Sequence, residues 1–68
     1  MFIEIVVNGE TKAIAEGSTL TGLLRQLELD PARVAVELDR RIVRKTDWDT
    51  TIVPTGARLE IVQFVGGG

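Results

Sequence analysis

The 68-residue chain has no cysteine and no histidine. Without a thiol or an imidazole, the commonest nucleophiles, the side chain that titrates near neutrality and most zinc and iron ligand sets are missing. Independent catalysis, a resident metal and a bound cofactor are therefore not expected. Disulfide and metal staples, on which many domains of this size rely, are excluded as well, so packing alone must hold the fold. Nor is there an excess of positive charge. Eight Lys and Arg stand against ten Asp and Glu, for a net charge of −2, which argues against a nucleic-acid binder that works by neutralising phosphates. No apolar run approaches the roughly 20 residues that span a bilayer, and the first residues lack the charged-then-apolar layout of a secretion signal. No membrane partner is expected, and a cysteine-free chain fits the reducing cytoplasm.

What is present suits a small globular domain: 44% of the residues are apolar and 26% charged, and a chain this short closes one hydrophobic core. Phe2 to Val7 is β-branched and aromatic, with Ile3, Ile5 and Val7 in one phase and Phe2, Glu4 and Val6 in the other, as in a strand. Asn8-Gly9 is the pair that best tolerates the positive φ angles of a tight hairpin, and Thr11 to Ala15 supplies the return strand. Gly17-Ser18 closes it, with Ser18 placed to cap a helix. Leu20, Leu23, Leu24 and Leu27 recur at i, i+3, i+4 and i+7, an apolar stripe on one helix face. Gly22 within that helix predicts a close approach to the sheet, and Asp30-Pro31 predicts the exit.

Arg33 to Leu38 alternates, with Val34, Val36 and Leu38 facing inward. Asp39-Arg40-Arg41 predicts a turn into a short strand at Ile42 and Val43. A polar connector, Lys45 to Thr51, carries the one tryptophan, Trp48, and Pro54-Thr55-Gly56 predicts another turn. Arg58 to Val65 is the last strand. This order predicts an α+β fold, a mixed sheet of four to five strands packed on one main helix, with the first and last strands parallel neighbours at its centre. Residues 1–65 form the domain, and residues 66–68 a flexible glycine tail.

That tail is the most suggestive feature. Gly66, Gly67 and Gly68 have no side chains, so they can thread a carboxylate into a narrow channel of another protein. A frayed end or a linker is the plain alternative, but the apolar strand runs into the glycines without a polar spacer. Beside the tail, Val62 and Phe64 share a phase opposite to Leu59 and Ile61. With Phe2 and Val6 across the sheet they predict an apolar partner-binding surface, unless a loop covers them. Arg40, Arg41, Arg44 and Lys45 are flanked by Glu37, Asp39, Asp47 and Asp49, which favours a solvated turn over a docking site. Trp48 reads as a core plug rather than a ligand platform.

The opening strand with Asn8-Gly9, the helix entry Gly17-Ser18-Thr19-Leu20 with Leu23 and Leu24, the stretch Val34-Ala35-Val36 to Ile42-Val43 with Trp48 after it, and Leu59-Glu60-Ile61-Val62 to Val65-Gly66-Gly67-Gly68 together resemble the ubiquitin-like β-grasp sulfur carriers, and among them the thiamin-pathway ThiS branch. Two departures are visible: Asp39 where the family commonly has asparagine, and Pro54-Thr55-Gly56-Ala57 in place of a more acidic turn. The resemblance implies that an E1-like adenylyltransferase (ThiF-like) activates the carboxylate of Gly68 with ATP. A persulfide donor then leaves a thiocarboxylate there. A thiazole synthase (ThiG-like) would receive the sulfur, with Gly66 and Gly67 as the slender approach to both active sites. A molybdopterin-synthase small subunit and a noncovalent ubiquitin-like binding module remain as alternatives.

Overall fold

The computed structural model of the protein describes residues 1–64. β1 (Phe2–Val7) and β2 (Glu10–Ala15) form an antiparallel hairpin. At its tip Asn8 has φ 50° and Gly9 φ 83°, the pair of left-handed conformations whose twist matches that of the flanking strands. The chain then enters α1 (Leu20–Gln26), whose Leu20, Leu23 and Leu24 are fully buried. The cap is Thr19 rather than Ser18: Thr19 Oγ1 accepts from the Gly22 N–H at 3.1 Å, whereas the Ser18 hydroxyl donates back to the Ala15 carbonyl. Gly22 does not mark a close approach to the sheet either. A Cβ there would meet only Thr19 Oγ1, at an ordinary 3.5 Å.

The helix also stops earlier than Asp30-Pro31. Glu28 takes φ 58°, its N–H bonds the Arg25 carbonyl, and the Leu29 N–H bonds the Leu24 carbonyl. This paired closure satisfies the last carbonyls of the helix with a left-handed residue just past its end. Asp30 and Pro31 instead begin a 3-10 turn, Pro31–Arg33, capped by Asp30 Oδ1 on the Ala32 N–H.

β3 (Val34–Leu38) and β4 (Arg41–Val43) make a second antiparallel hairpin. Its two-residue turn, Asp39 (φ 49°) and Arg40 (φ 72°), repeats the first turn's geometry without a glycine. β5 (Arg58–Gln63) then runs up the middle of the sheet. The strand order is β2-β1-β5-β3-β4, with β5 parallel to β1 and antiparallel to β3. The expected parallel pairing of first and last strands is present. The last strand ends at Gln63, short of the expected Val65, which lies outside the described residues.

One face of the sheet packs on the leucine stripe of α1. Ile5, Ile14, Val36 and Leu59 from the strands join it in the core. The chain between β4 and β5 adds to it: Trp48, Val53 and Ala57 are buried with them, and the Trp48 indole N–H donates to the Val43 carbonyl at 2.9 Å. The connector is held against the helix entry by backbone bonds from Leu20 to Thr51 and from Val53 to Ser18. Trp48 is thus the core plug its position predicted.

Candidate functional site

β5 is the strand that leads toward the glycines, and its alternation sets the site. Leu59 and Ile61 point into the core, while Glu60 and Val62 face solvent. Both hairpin turns reach over to hold it. Asp39 Oδ1 accepts from the Arg58 N–H at 3.0 Å, and the Asp39 N–H donates to the Arg58 carbonyl at 2.8 Å. An aspartate serves here as well as an asparagine would, because the contact needs an acceptor oxygen and a residue that tolerates the left-handed region. On the other side, the Asn8 carboxamide brackets Ile61, accepting from its N–H at 2.8 Å and donating to its carbonyl at 3.1 Å. After β5 proper, the Phe64 N–H still donates to the Arg33 carbonyl.

Of the surface residues expected to act together, the structure joins some and separates others. Val62 and Phe64 are both more than half exposed, on the solvent face beside the end of β5. Phe2 is more exposed still, but it is not their neighbour. Val6 pairs with Arg58 in a parallel register, so Phe2 lies four positions below that pair and Val62 four positions above it. At about 3.3 Å per residue, some eight positions place Phe2 about 26 Å from Val62 along the strands. Val6, half-buried, sits between these ends beside Arg58. An apolar patch spanning all four is therefore not formed.

The strand beside Val62 on its other side is β3, with β4 beyond it. Ala35 is the antiparallel partner of Val62, and Ile42, 76% exposed, lies next to Glu37 in the adjoining row. The sequence does not reveal the outward phase of Ile42, because a three-residue edge strand shows too little alternation. Between these apolar groups Glu37 and Glu60 are direct cross-strand partners. Arg40, Arg41, Arg44 and Lys45 are all exposed. Among the described residues the ion pairs are Lys12 with Glu10 and Arg33 with Asp30, so the flanking acids do not neutralise this segment by contact. Lys45 Nζ instead lies 5.7 Å from the centre of the Trp48 ring, within cation–π range.

Gly66, Gly67 and Gly68 lie outside the described residues. Among the described residues no cluster of three or more Asp or Glu could hold a metal ion, and no helix is long and apolar enough to cross a membrane.

The profile of the ThiS family matches residues 5–68. The chain belongs to the ThiS family. It is 30% identical to the sulfur carrier protein ThiS of Escherichia coli, over 97% of this chain and 100% of that one. The crystal structure of the thiamine biosynthesis protein ThiS from Geobacter metallireducens superposes with a TM-score of 0.83 at 32% identity, covering 97% of this chain and 100% of that one. The ubiquitin-like β-grasp expected from the resemblance is thereby established as the fold. The chain is also 39% identical over 66 residues to a thiazole synthase of Paramagnetospirillum magneticum, a much longer protein of which it spans 20%. A second thiazole synthase, from Magnetococcus marinus, matches at 35% and is again spanned to 20%. In those proteins a ThiS-like segment is part of the polypeptide that bears the synthase name.

Proposed function

We propose that this ThiS-family chain is a sulfur carrier for thiamin biosynthesis, with the sulfur borne on the carboxylate of Gly68. The observation that carries the proposal is the family match, which runs through residue 68 and so includes all three glycines. The carrier's name comes from its Escherichia coli relative, matched along that protein's whole length.

A carboxylate is a poor electrophile, and it needs a leaving group before sulfur can replace oxygen. The Gly68 carboxylate would attack the α-phosphate of ATP on an E1-like adenylyltransferase, forming an acyl adenylate and releasing pyrophosphate. The outer sulfur of a partner persulfide would then attack the carbonyl carbon and expel AMP. A second thiol of the partner, by cleaving the resulting S–S bond, leaves the thiocarboxylate on Gly68 and a disulfide on the partner. All thiols in this scheme belong to partners, in keeping with a chain that has no cysteine. Such a protein is a co-substrate and not a catalyst.

Thiazole synthase is the proposed recipient. Two relatives named thiazole synthase carry a ThiS-like segment within one polypeptide, and covalent linkage raises the effective concentration of one partner at the other. That observation favours the thiamin route over molybdopterin synthesis.

Intact mass spectrometry after incubation with the adenylyltransferase, ATP and a sulfur donor should show one oxygen-to-sulfur exchange, placed at Gly68 by fragmentation. An unchanged mass with an enzyme proven active on another carrier overturns the proposal. A deletion strain restored to growth by thiazole supports the thiamin route, and one restored only by molybdenum-cofactor precursors refutes it.

A further inference from the structure

β1 and β5 pair only as far as Val7 and Leu59. Beyond that point β1 has left the sheet. Asn8 turns into the hairpin at φ 50°, after its N–H has made the last backbone bond, to the Leu59 carbonyl at 2.9 Å. The next residue of β5 that faces this side is Ile61, and its N–H and carbonyl would be left without a strand to bond. The Asn8 side chain takes the place of the missing peptide group. Its oxygen accepts from the Ile61 N–H at 2.8 Å, and its NH2 donates to the Ile61 carbonyl at 3.1 Å. Only a carboxamide supplies both an acceptor and a donor at this spacing. These bonds tie residues 53 apart in sequence, three positions before the end of the described chain. Next to them, a groove of about 320 Å³ opens between Val7, Leu27, Leu29, Ile61 and Gln63, on the side of β5 away from its pairing with β3.

We propose that Asn8 is a positioning residue for sulfur loading: by standing in for the absent strand it holds the end of β5 at Ile61 in place for docking to the adenylyltransferase. The proposal rests on the sulfur-carrier reading above. Holding a strand end before it binds lowers the ordering cost of docking. The clamp therefore acts on recognition by the adenylyltransferase and leaves the chemistry at Gly68 untouched.

Asn8→Gly is the decisive variant, because glycine keeps the left-handed turn while removing both side-chain bonds. Asn8→Asp retains the acceptor for the Ile61 N–H and loses the donor. The readouts are amide hydrogen exchange at Ile61 and steady-state adenylation of the full chain by the adenylyltransferase. In Asn8→Gly, exchange at Ile61 should rise at least tenfold more than at Leu59, and KM should rise about three- to tenfold while kcat stays within twofold. Asn8→Asp should fall between Asn8→Gly and the parent in both. A purely structural role would lower the unfolding midpoint and leave KM unchanged well below it; that result overturns the proposal, as does unaltered exchange at Ile61. If the parent chain is not adenylated at all, the sulfur-carrier reading fails and this proposal with it. If the parent is adenylated and Asn8→Gly keeps its KM, this proposal alone fails.

Discussion

Glu37 and Glu60 face one another across β3 and β5 on the solvent side of the sheet. Like charges at directly opposed positions oppose the pairing of the strands that carry them. Replacing Glu60 with lysine turns the repulsion into an attraction while leaving the buried Leu59 and Ile61 alone. Glu60→Lys should raise the free energy of unfolding by a few tenths to about 1 kcal/mol, with the gain shrinking in high salt. Urea titrations at low and high ionic strength check both parts; a loss of stability in low salt contradicts the account.

Trp48 is the largest side chain of the core, 4% exposed and hydrogen-bonded through its indole N–H to Val43. Trp48→Ala should cost about 3–5 kcal/mol. A domain of this size has only several kcal/mol in all, so the variant should be substantially unfolded at 25 °C. Trp48→Phe should retain the fold at a smaller cost. Far-ultraviolet circular dichroism during denaturation distinguishes the two, and a well-folded Trp48→Ala is the contrary outcome.

Two backbone positions, one within α1 and one just past its end, should accept stabilising changes. Glu28 occupies the left-handed region at the helix end, where a side chain is disfavoured, so Glu28→Gly should stabilise by about 0.5–1 kcal/mol. Gly22 has room for a Cβ, and Gly22→Ala should gain up to about 1 kcal/mol from helix propensity. By contrast, Thr19→Ala removes the cap on the Gly22 N–H and should cost about 1 kcal/mol. Thermal unfolding of the three variants gives the signs directly, and a Gly22→Ala less stable than its parent would reveal a clash that the 3.5 Å contact does not predict.

The exposed apolar groups on the solvent face of β5 and β4, Val62 and Ile42, should matter to partners more than to stability. Val62→Asp and Ile42→Asp should each weaken binding to one of the two proposed partners, the adenylyltransferase or the thiazole synthase, by about tenfold or more, the loss typical of a residue at the centre of an interface. Their unfolding midpoints should stay close to the parent's. Phe2→Asp, about 26 Å away along the strands, should leave affinity unchanged. Calorimetric titration with each partner tests this, and equal effects at Phe2 and Val62 argue against a surface confined to the tail end of the sheet.

Much of the architecture was legible in local pattern. Asn8-Gly9, the leucine stripe, the alternation of Val34, Val36 and Leu38, and the parallel pairing of the outermost strands in sequence all stand in the structure. The misses share a cause. Ser18 and Thr19 are both competent caps, and only the path of the chain out of β2 decides between them. Glu28 ends the helix although nothing in its residue type favours positive φ, because Leu24 and Leu29 both pack with the core on either side of it. Phase puts Phe2 and Val62 on one face of the sheet but says nothing about their height along it.

The sequence by itself determined the one-core size, the order of hairpin, helix and strands, the lack of any thiol or imidazole, and the run of glycines behind an apolar strand. These follow from composition and from the periods of helix and strand, which neighbouring residues report locally. Tertiary structure alone decided the register of β5 against β1, and with it which exposed residues share one end of the sheet. It also decided that Asn8 and Asp39, two residues chosen by their turns, should hold the strand that leads to Gly66, Gly67 and Gly68. Register is set by non-local packing of buried side chains and by the satisfaction of backbone groups between segments some fifty residues apart, and no local period encodes that.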